Sequence, residues 1–189
     1  MAAILASANL VMRGGKGLAP TLAADYPHIY NDENAGNIMI TTAGGRVASM
    51  VAIWPNEVRL GPVALRIGGI NCLLTLPEFR RHALGAGVMR AAHEHMRALG
   101  CQIGLLRTKI TNWYRALGWE LAGEESTWHF DSVNIDLLPA LPANVALRPA
   151  EEDGVDDVIR LRHSDRLGGV REPDTFRRIL IARKARIVL

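Results

Sequence analysis

The stretch Cys72–Gly100, C-L-L-T-L-P-E-F-R-R-H-A-L-G-A-G-V-M-R-A-A-H-E-H-M-R-A-L-G, reads as a strand, a cationic turn and a helix. Cys72 to Leu76 is a short apolar run carrying Thr75, and Pro77, which has no N–H to give a sheet ladder, stops it. Arg80, Arg81 and His82 form the turn. Beyond them Leu84, Val88, Ala91, Ala92, His95, Met96 and Leu99 recur at the spacing of one helix face, and Gly100 ends the helix. The first turn of a helix has N–H groups without internal partners and carries partial positive charge. Two arginines there oppose the dipole unless an anion is present, and Gly85 and Gly87 let a ligand approach the backbone. The stretch predicts an anion cradle.

Two common phosphate-binding patterns fail on it and elsewhere. Gly85-Ala86-Gly87 is followed by Val88, Met89 and Arg90 with no third glycine, and no acid stands near Leu105 to hold a ribose, so a dinucleotide fingerprint is excluded. Gly14-Gly15-Lys16-Gly17 has Leu10 where a P-loop needs its first glycine and Gly17 where Ser or Thr must follow the lysine. It reads as a turn.

The run T-L-P-E-F-R-R-H-A-L-G-A-G resembles the acetyl-CoA loop of the GNAT superfamily of N-acetyltransferases, Q/R-x-x-G-x-G/A after a strand ending in proline. Arg80 falls on the Q/R position, Gly85 on the second glycine and Ala83, a departure, on the first. If the loop needs positive φ there, Ala83 costs about 1 kcal/mol; if it is helical, nothing. Downstream, N-W-Y-R-A-L-G-W-E (Asn112–Glu120) resembles the family's last helix and following strand. The resemblance implies an α+β, three-layer fold: a mixed, mostly antiparallel sheet with helices on both faces. It implies acetyl-CoA as acyl-donor cosubstrate, with no metal. It sets the pantetheine arm on the main chain of Leu73, Leu74 and Thr75, and the diphosphate on Arg80, Arg81, His82, Ala83, Leu84, Gly85, Ala86 and Gly87, through backbone N–H groups from Arg81 to Gly87. Tyr114 matches the tyrosine that protonates the departing thiolate; the alternative is a tyrosine packing with Trp113 and Trp119. The acceptor would be a small-molecule or peptide amine attacked directly in a ternary complex, and the alternative is a non-catalytic acyl-CoA-binding or assembly module.

Composition agrees with a packed domain and excludes other classes. Lys and Arg number 22 against 19 Asp and Glu, a surplus too small for a nucleic-acid surface. Met1 to Met12 is apolar but too short to span a bilayer and has no signal-peptide pattern, so no membrane association is expected. Two cysteines, Cys72 and Cys101, suit a reducing, cytoplasmic setting and read as buried small hydrophobes. His93 and His95, two apart on a helix, point to different faces and make a poor metal pair. Neither Glu57 nor Glu120 is placed at the amine by its spacing.

In chain order, the pattern predicts a helix over Ala2–Arg13 and a short helix then loop over Asp25–Asn37. Strands follow at Ile38–Thr42 and Val47–Trp54 around Ala43-Gly44-Gly45-Arg46, then a strand pair or bent strand over Val58–Ile67 broken at Gly61-Pro62, with a bulge at Gly68-Gly69. After the long helix come a buried strand at Gln102–Arg107, a short helix at Thr111–Leu117 and a closing strand over Ser126–Ile135. The family's first strand is missing. Residues 1–137 form the acetyltransferase domain and 138–145 a linker. Residues 146–189 resemble the start of a second, truncated GNAT-like domain, as in tandem proteins of the enhanced-intracellular-survival type. The ending Ile187-Val188-Leu189 suggests a fragment, and a homo-oligomer, if one forms, would be built through the missing domain.

Overall fold

Gly44 and Gly45, both at positive φ, turn the chain between β1 (Ile38–Ala43) and β2 (Arg46–Leu60). Two consecutive left-handed residues match the twist of the strands they join, which is why the glycine pair makes a tight hairpin. Gly61, at φ 59, turns β2 into β3 (Val63–Thr75). The computed structural model describes residues 1–123, 126–127, 129, 131, 133–140, 142–145 and 154–182. The sheet order is β1-β2-β3-β4, with β4 (Ile103–Leu105) parallel to β3, and β5 (Leu167–Val170) antiparallel to β2. The fold is the mixed, mostly antiparallel sheet with helices on both faces that the sequence implied.

One face carries α1 (Ala2–Met12) and α2 (Leu22–Asp25), whose Ala8 and Leu22 are buried with Met50, Ala52, Cys72 and Leu74. On the other, α3 (Leu84–Ala98) buries Val88, Met89, Ala92 and Met96 against Val51 and Ile53. Alternation along β2 sends odd and even residues to opposite cores, and each large apolar side chain so buried stabilises by about 1.5–3 kcal/mol. α4 (Thr111–Arg115) adds Tyr114 to the α3 side. Gly68 and Gly104, paired in register, make room for this packing. A Cβ on Gly68 would stand 2.1 Å from Met96 Sδ, and one on Gly104 would stand 2.6 Å from the Trp119 ring.

Four expectations need correction. The bulge does not sit at Gly68-Gly69, which continue β3; it sits at Cys72-Leu73, where two residues face Val51 alone, since Met50 pairs with Leu74 and Ala52 with Asn71. Cys72 takes φ 51 there. β2 runs on past Trp54 through Pro55, at a place where β1 has ended and β5 not yet begun, so only β3 flanks it. The strand at 103–105 is not buried: Ile103 and Leu105 are each 44% exposed, because β4 pairs over three residues and nothing described covers its outer edge. Of the closing strand expected over 126–135, residues 128, 130 and 132 lie outside the described residues; Val133 and Asn134 form a turn and Ile135–Leu137 a 3-10 turn.

The C-terminal segment contains α5 (Gly154–Ser164), as the amphipathic pattern predicts, then β5 and α6 (Pro173–Ala182). The strand expected to begin at Val145 falls on residues outside those described. β5 pairs Glu57–Leu60 of β2 with Leu167–Val170, joining the same sheet. No helix among the described residues is long and apolar enough to cross a membrane.

Candidate functional site

β3 has a second partner only along Ile67–Gly69; from Ile70 to Thr75 its side toward β4 meets no described strand. The two parallel strands therefore part just where α3 begins, and a cleft of about 440 Å³ opens there. Its walls are the strand end Leu73, Leu74 and Thr75, the turn Arg80, Arg81 and Ala83, and the helix start Leu84, Gly85 and Ala86. Tyr114 closes the far side, with Ile110 and Trp113 of the same segment. Ten of the twelve residues picked out as site residues thus share one cleft. His82 and Gly87 do not line it: the His82 Nδ1 lies 2.8 Å from Arg80 O, and the Gly87 N–H donates to Ala83 O at 3.0 Å, inside the helix. Gly87 is therefore not among the open amides that the sequence pattern assigned to a diphosphate.

The turn is held in an uncommon shape. Arg81 and Ala83 both have positive φ, 65° and 56°, and Ala83 is the α3 N-cap without a side-chain hydrogen bond to the helix. Non-glycine residues there cost about 1–2 kcal/mol each, and such strain clusters at ligand clamps. Uncapped, the first amides of α3 point out of the helix end with its partial positive charge. From outside, the turn is braced by Arg46, which donates to Glu78 Oε1 at 2.8 Å and stacks over Phe79 at 6.0 Å. Arg80 Nε donates to Thr75 O at 3.3 Å, tying turn to strand. Gly85 faces the strand end: a Cβ on it would make ordinary contact with Thr75 Oγ1 at 3.4 Å and Trp113 at 3.6 Å.

Tyr114 is 9% exposed, and Trp113 and Trp119 stand edge-on to its ring at 4.9 and 6.3 Å. Burial pushes its phenol above the ordinary value, so it is neutral at pH 7 and keeps a proton to give. This placement packs the ring and leaves the phenol protonated. Tyr114 also lines a neighbouring cleft of about 390 Å³ on β4, where Glu120 lies. Glu120 itself accepts from Arg115 Nε at 3.1 Å, and Glu57 sits on β2 opposite Arg66, away from the first cleft.

Cys72 is buried, and burial raises its thiol, which suits a packing role over a nucleophilic one. His93 lies 5.4 Å from the Trp119 ring, whereas His95 Nε2 is 2.8 Å from Asn37 Oδ1; the two rings face different neighbours, as their spacing predicted. Two contributors escaped the sequence reading. Trp113 entered it only as packing, yet it walls the cleft beside Gly85. Ser49, buried on β2 and bonded to Leu74 O and Thr75, carries no signal beyond being a polar residue in an apolar run.

A family model described as acetyltransferase (GNAT) domain matches residues 20–122. No curated protein matches the sequence. Among solved structures, the chain is similar to a GCN5-related N-acetyltransferase from Kribbella flavida. The identity is 26% and the TM-score 0.54, over 67% of this chain and 32% of that one. It is also similar in fold to a conserved protein, probable N-acyltransferase, from Enterococcus faecalis V583. There the TM-score is 0.72 at 12% identity, over 95% of this chain and 45% of that one. A transcriptional regulator from Bacillus halodurans C-125 shares the fold at 18% identity and TM-score 0.52, over 67% of this chain and 91% of its own. The chain therefore spans less than half the length of the first two.

Proposed function

The chain belongs to the acetyltransferase (GNAT) domain family, and from that premise we propose that it is an acetyl-CoA-dependent N-acyltransferase. The observation that carries the proposal is that Tyr114 lines one cleft with Arg80, Arg81 and Ala83–Ala86, at the parting of β3 and β4. On the side away from β2, the stretch Ile70–Thr75 offers main-chain groups to the pantetheine arm, as an added strand would use them. The open amides of α3, with Arg80 and Arg81, receive the diphosphate. Among the described residues no group of His, Cys, Asp and Glu is placed to hold a metal ion.

In the reaction the acceptor amine attacks the thioester carbonyl directly in a ternary complex. The nitrogen–carbon bond forms, the carbon–sulfur bond breaks, the thiolate takes the proton of Tyr114, and the proton shed by the acylated nitrogen restores the phenol. Burial keeps the Tyr114 phenol protonated until the thiolate forms, so its proton is available to the leaving sulfur. The acceptor is an amine, small-molecule or peptide. The chain's wider organisation belongs to the same proposal: residues 1–137 form the acetyltransferase unit, and 146–189, after a linker at 138–145, open a second unit of this kind.

Calorimetry with acetyl-CoA followed by thiol release against a panel of polyamines, aminoglycosides and peptide amines tests the reading. Binding with amine-dependent thiol release is expected. Binding without release on any amine would favour the assembly-module alternative, and absence of binding would remove both.

A further inference from the structure

Buried deepest beside the cleft is a polar pair that the acyl transfer scheme leaves unused. Ser49 has no exposed surface, its Oγ lies 2.7 Å from Leu74 O, and the same Oγ lies 3.0 Å from Thr75 Oγ1. Thr75 is a wall of the cleft, and its hydroxyl lies 3.4 Å from where a Cβ on Gly85 would stand.

The direction of each hydrogen bond follows from counting protons. A carbonyl oxygen only accepts, so the single hydroxyl proton of Ser49 points at Leu74 O. The contact to Thr75 then has no Ser49 proton left for it. Two oxygens at 3.0 Å with no proton between them repel, and Ser49 is out of reach of water, so the proton on that line is the one from Thr75. The chain of donation runs Thr75 to Ser49 to Leu74 O. Thr75 is thereby left with lone pairs alone toward the cleft.

We propose that Ser49 is a positioning residue that makes the Thr75 hydroxyl an obligate hydrogen-bond acceptor, and that this acceptor selects an amide N–H of the pantetheine arm at that point of the cleft. The inference rests on the proposed acyl-CoA reading and adds a polarity to it. A phosphate oxygen, which accepts only, is repelled by Thr75 and left to the amides and arginines of the turn. The two halves of the coenzyme are in this way sorted along the cleft by opposite hydrogen-bonding character: acceptor at the strand, donors at the helix start.

The test compares coenzyme A, pantetheine and ADP as calorimetric probes of the whole chain. ADP carries the diphosphate and no amide; pantetheine carries the amides and no phosphate. Wild type that binds none of them refutes the acyl-CoA reading itself. Given binding, Thr75→Val should weaken coenzyme A and pantetheine roughly three- to tenfold, the worth of one hydrogen bond, and leave ADP within twofold; Thr75→Ser should keep wild-type affinity for all three. Ser49→Ala, which lets the Thr75 proton swing into the cleft, should weaken pantetheine in the same range, and the double variant should be no weaker than Thr75→Val alone. Equal losses for ADP and pantetheine, or additive losses in the double variant, would overturn the proposal. Should Ser49→Ala not fold, the contrast of Thr75→Val with Thr75→Ser decides by itself.

Discussion

Replacing Ala83 with glycine should make this protein more stable, against the trend for a residue inside a helix. Ala83 stands at φ 56 and ψ 13, in the left-handed region, immediately before Leu84 opens α3. Holding an L-residue there costs about 1–2 kcal/mol. Glycine removes that cost but loses more freedom on folding, a penalty of about 0.4–1 kcal/mol, so the net gain expected is about 0.5–1 kcal/mol. In urea unfolding, a slope of about 2 kcal/mol/M turns this into a midpoint raised by roughly 0.3–0.5 M at unchanged slope. The sign is the decisive part. If Ala83 were right-handed, the same substitution would lower stability by about 1 kcal/mol, as it should for Ala91→Gly inside α3. A lowered midpoint for Ala83→Gly would refute the conformation assigned to the turn, and with it the strained cradle.

Tyr114→Phe keeps the edge-on packing with Trp113 and Trp119 and removes the proton, so kcat should fall about 100-fold or more while KM for acetyl-CoA changes little; steady-state kinetics with unchanged turnover would eliminate the phenol as acid. Gly104→Ala drives a methyl to 2.6 Å from the Trp119 ring and should cost about 1–3 kcal/mol in thermal or urea unfolding; a neutral result would mean that the indole is not seated there. At high pH, burial and the neighbouring Cys72 thiol push the Tyr30 phenol up, and burial alone does so for Tyr114. Both therefore keep their protons after the unfolded chain loses its own near pH 10, so the stability they supply is full below that pH and is lost as pH rises beyond it. The slope is at most about 1.4 kcal/mol per pH unit for each phenol. Tyr30→Phe should flatten the decline measured by urea unfolding between pH 9 and 11, and an unaltered slope would contradict the burial of that hydroxyl.

What the sequence made legible, and what it hid, divides along one line. Features written in local chemistry could be read directly: the Gly44-Gly45 hairpin, the stop at Pro77, the helix ended by Gly100 at φ 73, and the cationic turn leading into Gly85. Features created by what lies opposite were invisible. The bulge at Cys72 has no glycine to announce it, because its left-handed residue is fixed by the registers on either side, Met50 with Leu74 and Ala52 with Asn71. Gly68-Gly69 looked like the bulge, but the pair continues the strand, and Gly68 instead answers to Met96 on α3. Pro55 looked like a strand end because its missing N–H is harmless only where a neighbouring strand is lacking, a fact of the sheet and not of the peptide. Within the cleft, Tyr114 came from a motif, whereas Ser49 acts only through Leu74 and Thr75, 25 and 26 positions away.

The pairing of β5 with the distal end of β2 also bears on how the molecule is handled. Glu57–Leu60 is clothed on one side by β3 and on the other by Leu167–Val170, which arrive from more than a hundred positions later. Shortening the polypeptide to its first 145 residues would strip that second partner away. A bare ribbon of amide and carbonyl groups, flanked by the protruding Leu60 and Val63, would then be offered to any passing copy. Trimmed versions should clump on concentration where the longer chain stays dispersed, so a shortened version is better cut beyond α6 than before α5.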